Sequence, residues 1–314
     1  MINRRNLLQT ISAAAVLAPF TSIKPIIAAN KQGSFSFGVL TDPQYAAIAS
    51  NGQTRFYANS LWKLEECINH YNKEELEFVI TLGDIIDRHY TSFNDILPIY
   101  DRLKHPNFFV LGNHDYDVAG DYIRSISRTL GLTKNYYDFS GGGYRFIVID
   151  GNEISLFAPP KGNKYLNIPD DPRLEIAQKR LDALKAKGAD NAQIWNGSLS
   201  DEQFQWLENT IQAAEKANER VVVFGHYPIF PANMHNMWDS ERLLDLLTAH
   251  KNVIGYFCGH NHQGNYGEKG GKYFVNLKGM VETPDTTAYS IFTVHDDRLE
   301  IKGFGREESR TLKY

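Results

Sequence analysis

Cysteine is scarce in this 314-residue chain: Cys67 and Cys258 permit one disulfide at most, which excludes a disulfide-stapled scaffold and any four-thiolate zinc site. No stretch gathers Lys and Arg on the scale of a phosphate-backbone footprint, and the formal net charge is −4, so a nucleic-acid duplex is not an expected partner. No internal repeat, coiled-coil pattern or low-complexity tract is visible, and no apolar run reaches the ~20 residues that a membrane-spanning helix needs. What is present is ordinary for a folded globular protein, with 42% hydrophobic, 22% charged and 12% aromatic residues. That composition excludes a disordered or fibrous chain, and the length is ample for a buried core.

Acidic residues are missing before Asp42, and this absence marks off a leader. Arg4 and Arg5 open the chain, Ile11 to Phe20 is a short apolar run, and Ile27-Ala28-Ala29 ends in the small residues that a signal peptidase accepts. Residues 1–29 are therefore expected to be an export signal, and 30–314 a single catalytic domain. The segment Asn3-Arg4-Arg5-Asn6-Leu7-Leu8 resembles the twin-arginine signal of bacteria, which implies a periplasmic or otherwise exported protein without a stable membrane anchor after cleavage. Removing 1–29 takes away three basic side chains and moves the net charge from −4 to −7.

Beyond the leader, short apolar runs alternate with amphipathic stretches. The pattern predicts strands at 35–40, 78–82, 108–111, 145–150, 220–224 and 253–258, with helices at 56–73, 93–104, 121–130, 174–187, 201–218 and 241–249. Ser200 with Gln203 three residues on predicts a helix start. This is a layered α/β pattern. Three later strands without helices between them, at 273–277, 289–294 and 299–304, are expected to finish a sheet in antiparallel fashion. Gly141-Gly142-Gly143 reads as a hairpin tip, and the proline-rich stretch 152–172 as a lid-like loop over a site.

The polar clusters that end the strands carry the chemistry. They read Thr41-Asp42-Pro43-Gln44, Gly83-Asp84-Ile85-Ile86-Asp87-Arg88, Gly112-Asn113-His114-Asp115, Gly225-His226-Tyr227-Pro228 and Gly259-His260-Asn261-His262. Ligands gather at the carboxyl ends of strands in open α/β sheets, so the five clusters are expected to meet in one crevice. Their Asp, Asn, Gln and His side chains, in this order and placement, point to a dinuclear metal site.

These residues resemble the motifs of the calcineurin-like metallophosphoesterases, D-x-H, G-D-x-x-D, G-N-H-[DE], G-H and G-H-x-H, with Gln44 replacing the first histidine. The resemblance implies mixed β-sheets packed as a sandwich flanked by helices. It implies that Asp42, Gln44, Asp84 and His262 hold one metal ion, that Asp84, Asn113, His226 and His260 hold the other, and that Asp84 bridges them. It places His114 beside the leaving oxygen, with Asp87 on its other ring nitrogen; the alternative for His114 is a purely structural link to Asp87. Two divalent ions set against Asp42 and Asp84 leave a positive cluster that attracts phosphate. Without thiolates, and with an amide oxygen at Gln44, the ligand set favours Mn²⁺ or Mg²⁺, while the imidazoles also suit Fe or Zn²⁺.

Gln44-Tyr45, the stretch from Thr54 to Leu61, Trp195-Asn196-Gly197-Ser198-Leu199 and Gly279-Met280-Val281-Glu282-Thr283-Pro284 resemble the manganese-dependent ADP-ribose/CDP-alcohol diphosphatases in particular. The implied substrate is a small, phosphorylated, nucleotide-containing molecule, cleaved at its phosphoanhydride. Such a substrate needs a flat apolar surface and a cation. Tyr45, Phe56, Tyr57, Phe157 or Tyr165 could supply the first and Arg55 the second, with core packing and a solvated helix start as the ordinary alternatives. Asn196 either bonds a phosphate or shapes the turn with Gly197. Rival readings are a phosphodiesterase for cyclic nucleotides or glycerophosphodiesters, a phosphomonoesterase, and a catalytically silent binding protein.

Overall fold

The computed structural model describes residues 34–50 and 52–314; the leader at 1–29 lies outside the described residues. In chain order the strands are β1 (Phe35–Leu40), β2 (Val79–Leu82), β3 (Asn107–Val110), β4 (Tyr137–Gly141), β5 (Tyr144–Val148), β6 (Arg220–Phe224), β7 (Val253–Cys258), β8 (Asn265–Lys269), β9 (Lys272–Asn276), β10 (Ala288–Val294), β11 (Arg298–Gly305) and β12 (Arg310–Lys313). The helices are α1 (Ser60–Tyr71), α2 (Phe93–Tyr100), α3 (Ile126–Thr129), α4 (Arg173–Ala186), α5 (Asp201–Lys216) and α6 (Ser240–Ala249). The strands form two six-stranded sheets, ordered β12-β11-β10-β1-β2-β3 and β4-β5-β6-β7-β9-β8. The first is antiparallel from β12 through β1 and parallel across β1, β2 and β3 at its other edge, and the second has a parallel centre with antiparallel margins, so both are mixed.

Period-two alternation makes this sandwich. In β6, Val222 and Phe224 face the opposite sheet, while Val221 and Val223 join Phe204, Leu207 and Leu243 from α5 and α6. In β1, Phe37 and Val39 point into the same inter-sheet core, where Phe37 stacks on Phe78 with ring centres 4.6 Å apart. On the other face of β1 any side chain at Gly38 would strike the Tyr71 ring, whose hydroxyl donates to the Val39 and Ser290 carbonyls at 3.0 and 2.9 Å. Truncating a core ring such as Phe146, which is wholly buried, is expected to cost about 3–5 kcal/mol.

Local signals held where packing agreed with them. Ser200 caps α5 by accepting the Gln203 amide at 3.0 Å, but the Gln203 side chain turns to Asp150 and Glu153, and Glu153 takes the Ser200 amide instead. The Gly142-Gly143 turn closes the β4–β5 hairpin, with φ of +60° and +83°. The helix expected at 121–130 is a 3₁₀ stretch, Gly120–Ser125, followed by the single turn α3. The helix expected from 56 begins only at Ser60. The strand expected at 273–277 does not join the C-terminal strands: β9 enters the other sheet parallel to β7, and only β10, β11 and β12 run on antiparallel.

The parallel strands β1, β2 and β3 of one sheet and β6 and β7 of the other therefore deliver the loops at 41–44, 83–87, 112–115, 225–228 and 259–262 to one end of the sandwich. Both cysteines are buried and free. Among the described residues no helix is long and apolar enough to cross a membrane.

Candidate metal centre

The loops at this end are strained and laced together. Asp42, Gln44, Asp84 and His260 have φ of +50°, +46°, +52° and +68°, a region that costs a non-glycine residue about 1–3 kcal/mol and persists only where surroundings impose it. The surroundings here are backbone hydrogen bonds: Asp42 N–H to Gly83 O at 3.1 Å, Gln44 N–H to Asp84 O at 2.7 Å and Gly259 N–H to His226 O at 2.9 Å. Two motif glycines admit functional side chains. A Cβ on Gly83 would strike the His226 imidazole, and one on Gly112 would strike the Asp84 carboxylate.

Carboxylate and amide groups converge in this frame, each with one oxygen left without a hydrogen bond. The Asp84 Oδ1 accepts the His114 amide at 2.8 Å, leaving its buried Oδ2 without a hydrogen-bond donor. The Asp42 Oδ2 accepts the Thr41 hydroxyl at 2.5 Å and the His260 amide at 3.2 Å, leaving Oδ1 bare. Gln44 donates its amide to Asp87 at 2.8 Å, so its Oε1 is bare as well. Such buried, unsatisfied acceptors are costly unless a cation sits among them.

The imidazoles agree. His226 Nδ1 donates to the Leu82 carbonyl at 2.8 Å, which turns the Nε2 lone pair toward Asn113 Oδ1 and Asp84 Oδ2, at 3.2 and 3.3 Å. His260 Nε2 donates to Asn196 Oδ1 at 3.0 Å, freeing Nδ1. His262 Nδ1 donates to Glu282 at 2.8 Å, and its Nε2 lies 3.3 Å from Asp42 Oδ1. Asp84, His226 and His260 place ligand atoms within 4.8 Å of one another, as do Asp42, Asp84 and His262, so Asp84 is common to both groups. Five of the seven expected ligands are thus grouped, with Asn113 Oδ1 beside His226 and Gln44 tied through its backbone N–H to the Asp84 carbonyl, and the chemistry of this set fits two divalent cations.

Electrostatics describe the same demand for positive charge. Burial opposes protonation of His226 and His262, but Asp84 beside the first and Asp42 beside the second outweigh it, and each pKa is held up at about 9. Burial, reinforced by the neighbouring His226, pushes His260 well below its ordinary value. Burial also opposes charge on Asp84, yet the surrounding histidines hold its carboxyl far below the usual carboxylate range.

His114 stands beside this centre. Its Nδ1 is 3.0 Å from Asp87 Oδ2, the oxygen that also accepts from Gln44, while Arg88 Nε contacts the other Asp87 oxygen at 3.0 Å. Asp87 therefore holds a ligand amide by a hydrogen bond and lies against the His114 ring at ion-pair distance. Motif residue Asp115, given no role by the sequence reading, accepts the Gly112, Ile85 and Ile86 amides at 2.9, 2.8 and 3.2 Å and ties the Asp84 loop to the Asn113 loop. Burial and the charge of Asp84 raise its pKa to about 7.

A cleft of about 660 Å³ opens over His260 and His262, walled by Arg55, Tyr57, Arg88 and His235. Of the residues expected to touch substrate, Arg55 and Tyr57 are there. Tyr45 is not: it is buried in the helix-side core and donates to Asp95 at 2.9 Å. Phe56 does not line the cleft; its amide bonds Val281 O at 2.8 Å and Tyr57 takes its place in the wall. Asn196 neither faces the cleft nor merely shapes a turn, because it is buried against His260 and bonded through Nδ2 to Asn191 and Met234 carbonyls. Phe157 packs near Tyr116, Tyr165 points into solvent, and the cleft is lined without the loop at 152–172. The sequence reading missed Arg88, His235 and the role of Glu282; a charged residue directly after the G-D-x-x-D motif was the available signal for Arg88.

The fold and this constellation define a class, and the comparisons agree: the family model for calcineurin-like phosphoesterases matches residues 35–264. The chain belongs to that family and is a metal-dependent phosphoric ester or anhydride hydrolase. Among known proteins it is similar to the manganese-dependent ADP-ribose/CDP-alcohol diphosphatases of Homo sapiens, 29% identical with 89% of this chain and 93% of the relative covered, and of Arabidopsis thaliana, 28% identical with 90% and 97% covered. A dimetal phosphatase from Danio rerio shares the fold with a TM-score of 0.77 at 24% identity, over 89% of this chain and 99% of that one.

Proposed function

We propose that this protein hydrolyses the phosphoanhydride of nucleoside diphosphate-linked sugars or alcohols, of the ADP-ribose and CDP-alcohol type, and releases a nucleoside monophosphate and a phosphorylated alcohol. The observation that carries the reading is the pair of acceptor clusters sharing Asp84 beneath a cleft walled by two arginines and a tyrosine. The relatives named above act on such substrates by name and support it.

In this reading Asp42, Gln44, Asp84 and His262 hold one divalent ion, Mn²⁺ by preference, and Asp84, Asn113, His226 and His260 hold the other. Bound ions there supply an activated water and withdraw charge from a phosphoryl oxygen. The chain's own residues do the rest. Asp87 fixes His114 through Nδ1, which presents Nε2 to the leaving oxygen for proton delivery. Arg55 and Arg88 receive the second phosphate, and Tyr57 offers a flat face to a base or ribose. Residues 1–29 direct export by the twin-arginine route, and replacing Arg4 and Arg5 by lysine should hold the protein in the cytoplasm of an exporting host.

The test is hydrolysis of ADP-ribose, CDP-choline, bis(p-nitrophenyl) phosphate and p-nitrophenyl phosphate by metal-stripped protein refilled with Mn²⁺, Mg²⁺ or Zn²⁺, with His226→Ala as control. Nucleoside monophosphate release that is fastest with Mn²⁺ and lost in the variant supports the reading. Turnover of the nitrophenyl esters alone would replace it by a phosphodiesterase or phosphomonoesterase activity, and no turnover by a silent binding protein.

A further inference from the structure

A lysine lies where a helix should present only apolar side chains. Leu64, Cys67, Ile68 and Tyr71 put one face of α1 into the core, and Lys63, on that same face, is wholly buried. Its ammonium has four carbonyl oxygens around it, those of Met280, Val281, Glu282 and Thr283, at 3.0, 3.3, 2.8 and 2.5 Å. Three N–H donors are thus shared among four acceptors. Arg306 donates to the next carbonyl back, Gly279 O, at 2.7 Å. Two cations therefore hold five consecutive carbonyls of one turn. Burial, with Arg306 acting in the same direction and Glu282 and Asp285 opposing, brings the Lys63 pKa down only to about 8, so the ammonium persists at neutral pH.

The opposite edge of that turn lies on the metal loops. Gly279 N–H bonds His262 O at 3.1 Å, Met280 N–H bonds Thr41 O at 3.0 Å, and Val281 N–H bonds Asp42 O at 2.9 Å. The Glu282 carboxylate accepts a hydrogen bond from His262 Nδ1. These contacts fall on Asp42 and His262, two members of the Asp42–Gln44–Asp84–His262 cluster, and on Thr41, which precedes Asp42. The imidazoles of the other cluster are oriented elsewhere, His226 by the Leu82 carbonyl and His260 by Asn196; the His260 amide on Asp42 Oδ2 links that cluster to this loop.

We propose that Lys63 is a positioning residue for one metal site only: by gripping the carbonyls of 280–283 it sets Glu282 and the backbone of Asp42 and His262, and so fixes the affinity of the Asp42–Gln44–Asp84–His262 site while leaving the His226–His260 site unaffected. This rests on the two-ion reading given above. Positional support of this kind is worth about 10–100-fold in metal affinity.

Mn²⁺ binding to the full chain, followed by equilibrium dialysis and by the electron paramagnetic resonance of free and bound ion, tests the assignment without reference to activity. The unsubstituted protein should bind two equivalents, and Lys63→Met should retain one at unchanged affinity with the other weakened 10–100-fold. Paired backgrounds identify the site. Lys63→Met should weaken the ion left in His260→Ala and leave untouched the ion left in Gln44→Ala. If Lys63→Met does not fold, judged by its far-ultraviolet circular dichroism, Lys63→Gln keeps a donor and reads the same quantity with a smaller loss. Equal weakening of both ions, or no change in either, overturns the proposal. Fewer than two equivalents in the unsubstituted protein would instead overturn the two-ion reading on which it stands.

Discussion

The two halves of the metal centre are built on different principles. In the half around His226, His260 and Asn113 the imidazoles are oriented by neutral partners, a backbone carbonyl at Leu82 and the buried amide of Asn196. The half around Asp42, Gln44 and His262 is fixed by charge: Glu282 on His262, Asp87 on Gln44, and a turn held by Lys63 and Arg306. The first is rich in imidazole and the second in oxygen. A neutral brace sets geometry alone, whereas a charged brace also raises the basicity of the ligand it holds, so the second half suits the harder ion and is more exposed to single substitutions.

The largest expected effect removes the comparison altogether. Asp84 is the residue common to both halves, so Asp84→Asn should abolish tight binding of both ions and lower kcat/KM for ADP-ribose by about 10³-fold or more, since each ion contributes several kcal/mol at the transition state. Retention of one tight ion would show that the halves are independent. Next, His114 belongs to neither half. His114→Ala should lower kcat by about 10²–10⁴-fold with ADP-ribose and far less with a nitrophenyl leaving group, with two ions still bound by dialysis. An equal loss on both substrates would reduce His114 to a structural partner of Asp87.

Finer contrasts follow. Glu282→Gln should weaken the ion of the oxygen-rich half by about 10–100-fold, and Asn196→Ala the ion of the imidazole-rich half by a similar factor, each measured by Mn²⁺ dialysis. Weakening of the same ion by both substitutions would show that the two halves share their supports. The smallest effect lies outside the centre: Tyr45→Phe loses a hydrogen bond to Asp95, which should cost about 1 kcal/mol in urea unfolding while KM for ADP-ribose stays unchanged. A raised KM would return Tyr45 to the substrate surface.

How much of this was legible in the sequence depended on whether the determinant was local. Strand ends followed by Gly-Asp, Gly-Asn or Gly-His placed the ligands, because a glycine is needed where an imidazole or carboxylate packs against the backbone, as His226 does at Gly83. The positive φ of Asp42, Gln44, Asp84 and His260 was invisible, because it is imposed by hydrogen bonds between loops far apart in sequence. Among the aromatic candidates Tyr57 reaches the cleft and the others do not, for a related reason. Tyr45 and Phe56 lie beside the motifs in sequence, but a strand end and a 3₁₀ turn aim them away from the cleft, while Tyr57 and His235 reach it. Asn196 showed its polarity but not its partner, which lies 64 residues away. Lys63 was legible in principle, as a charge on the apolar face of a helix, though nothing local names the five carbonyls that it and Arg306 hold. The destination of β9 was likewise settled by the parallel place beside β7 and not by its own pattern.

The central claim, that one carboxylate joins two ion sites into a single anhydride-cleaving centre, is tested most directly by measuring the initial rate of AMP release from ADP-ribose against equivalents of Mn²⁺ bound to metal-stripped protein. The rate should stay near zero through the first equivalent and rise steeply with the second, with no rise at any Mn²⁺ level for Asp84→Asn. Full activity with one bound ion, or with none, would contradict it.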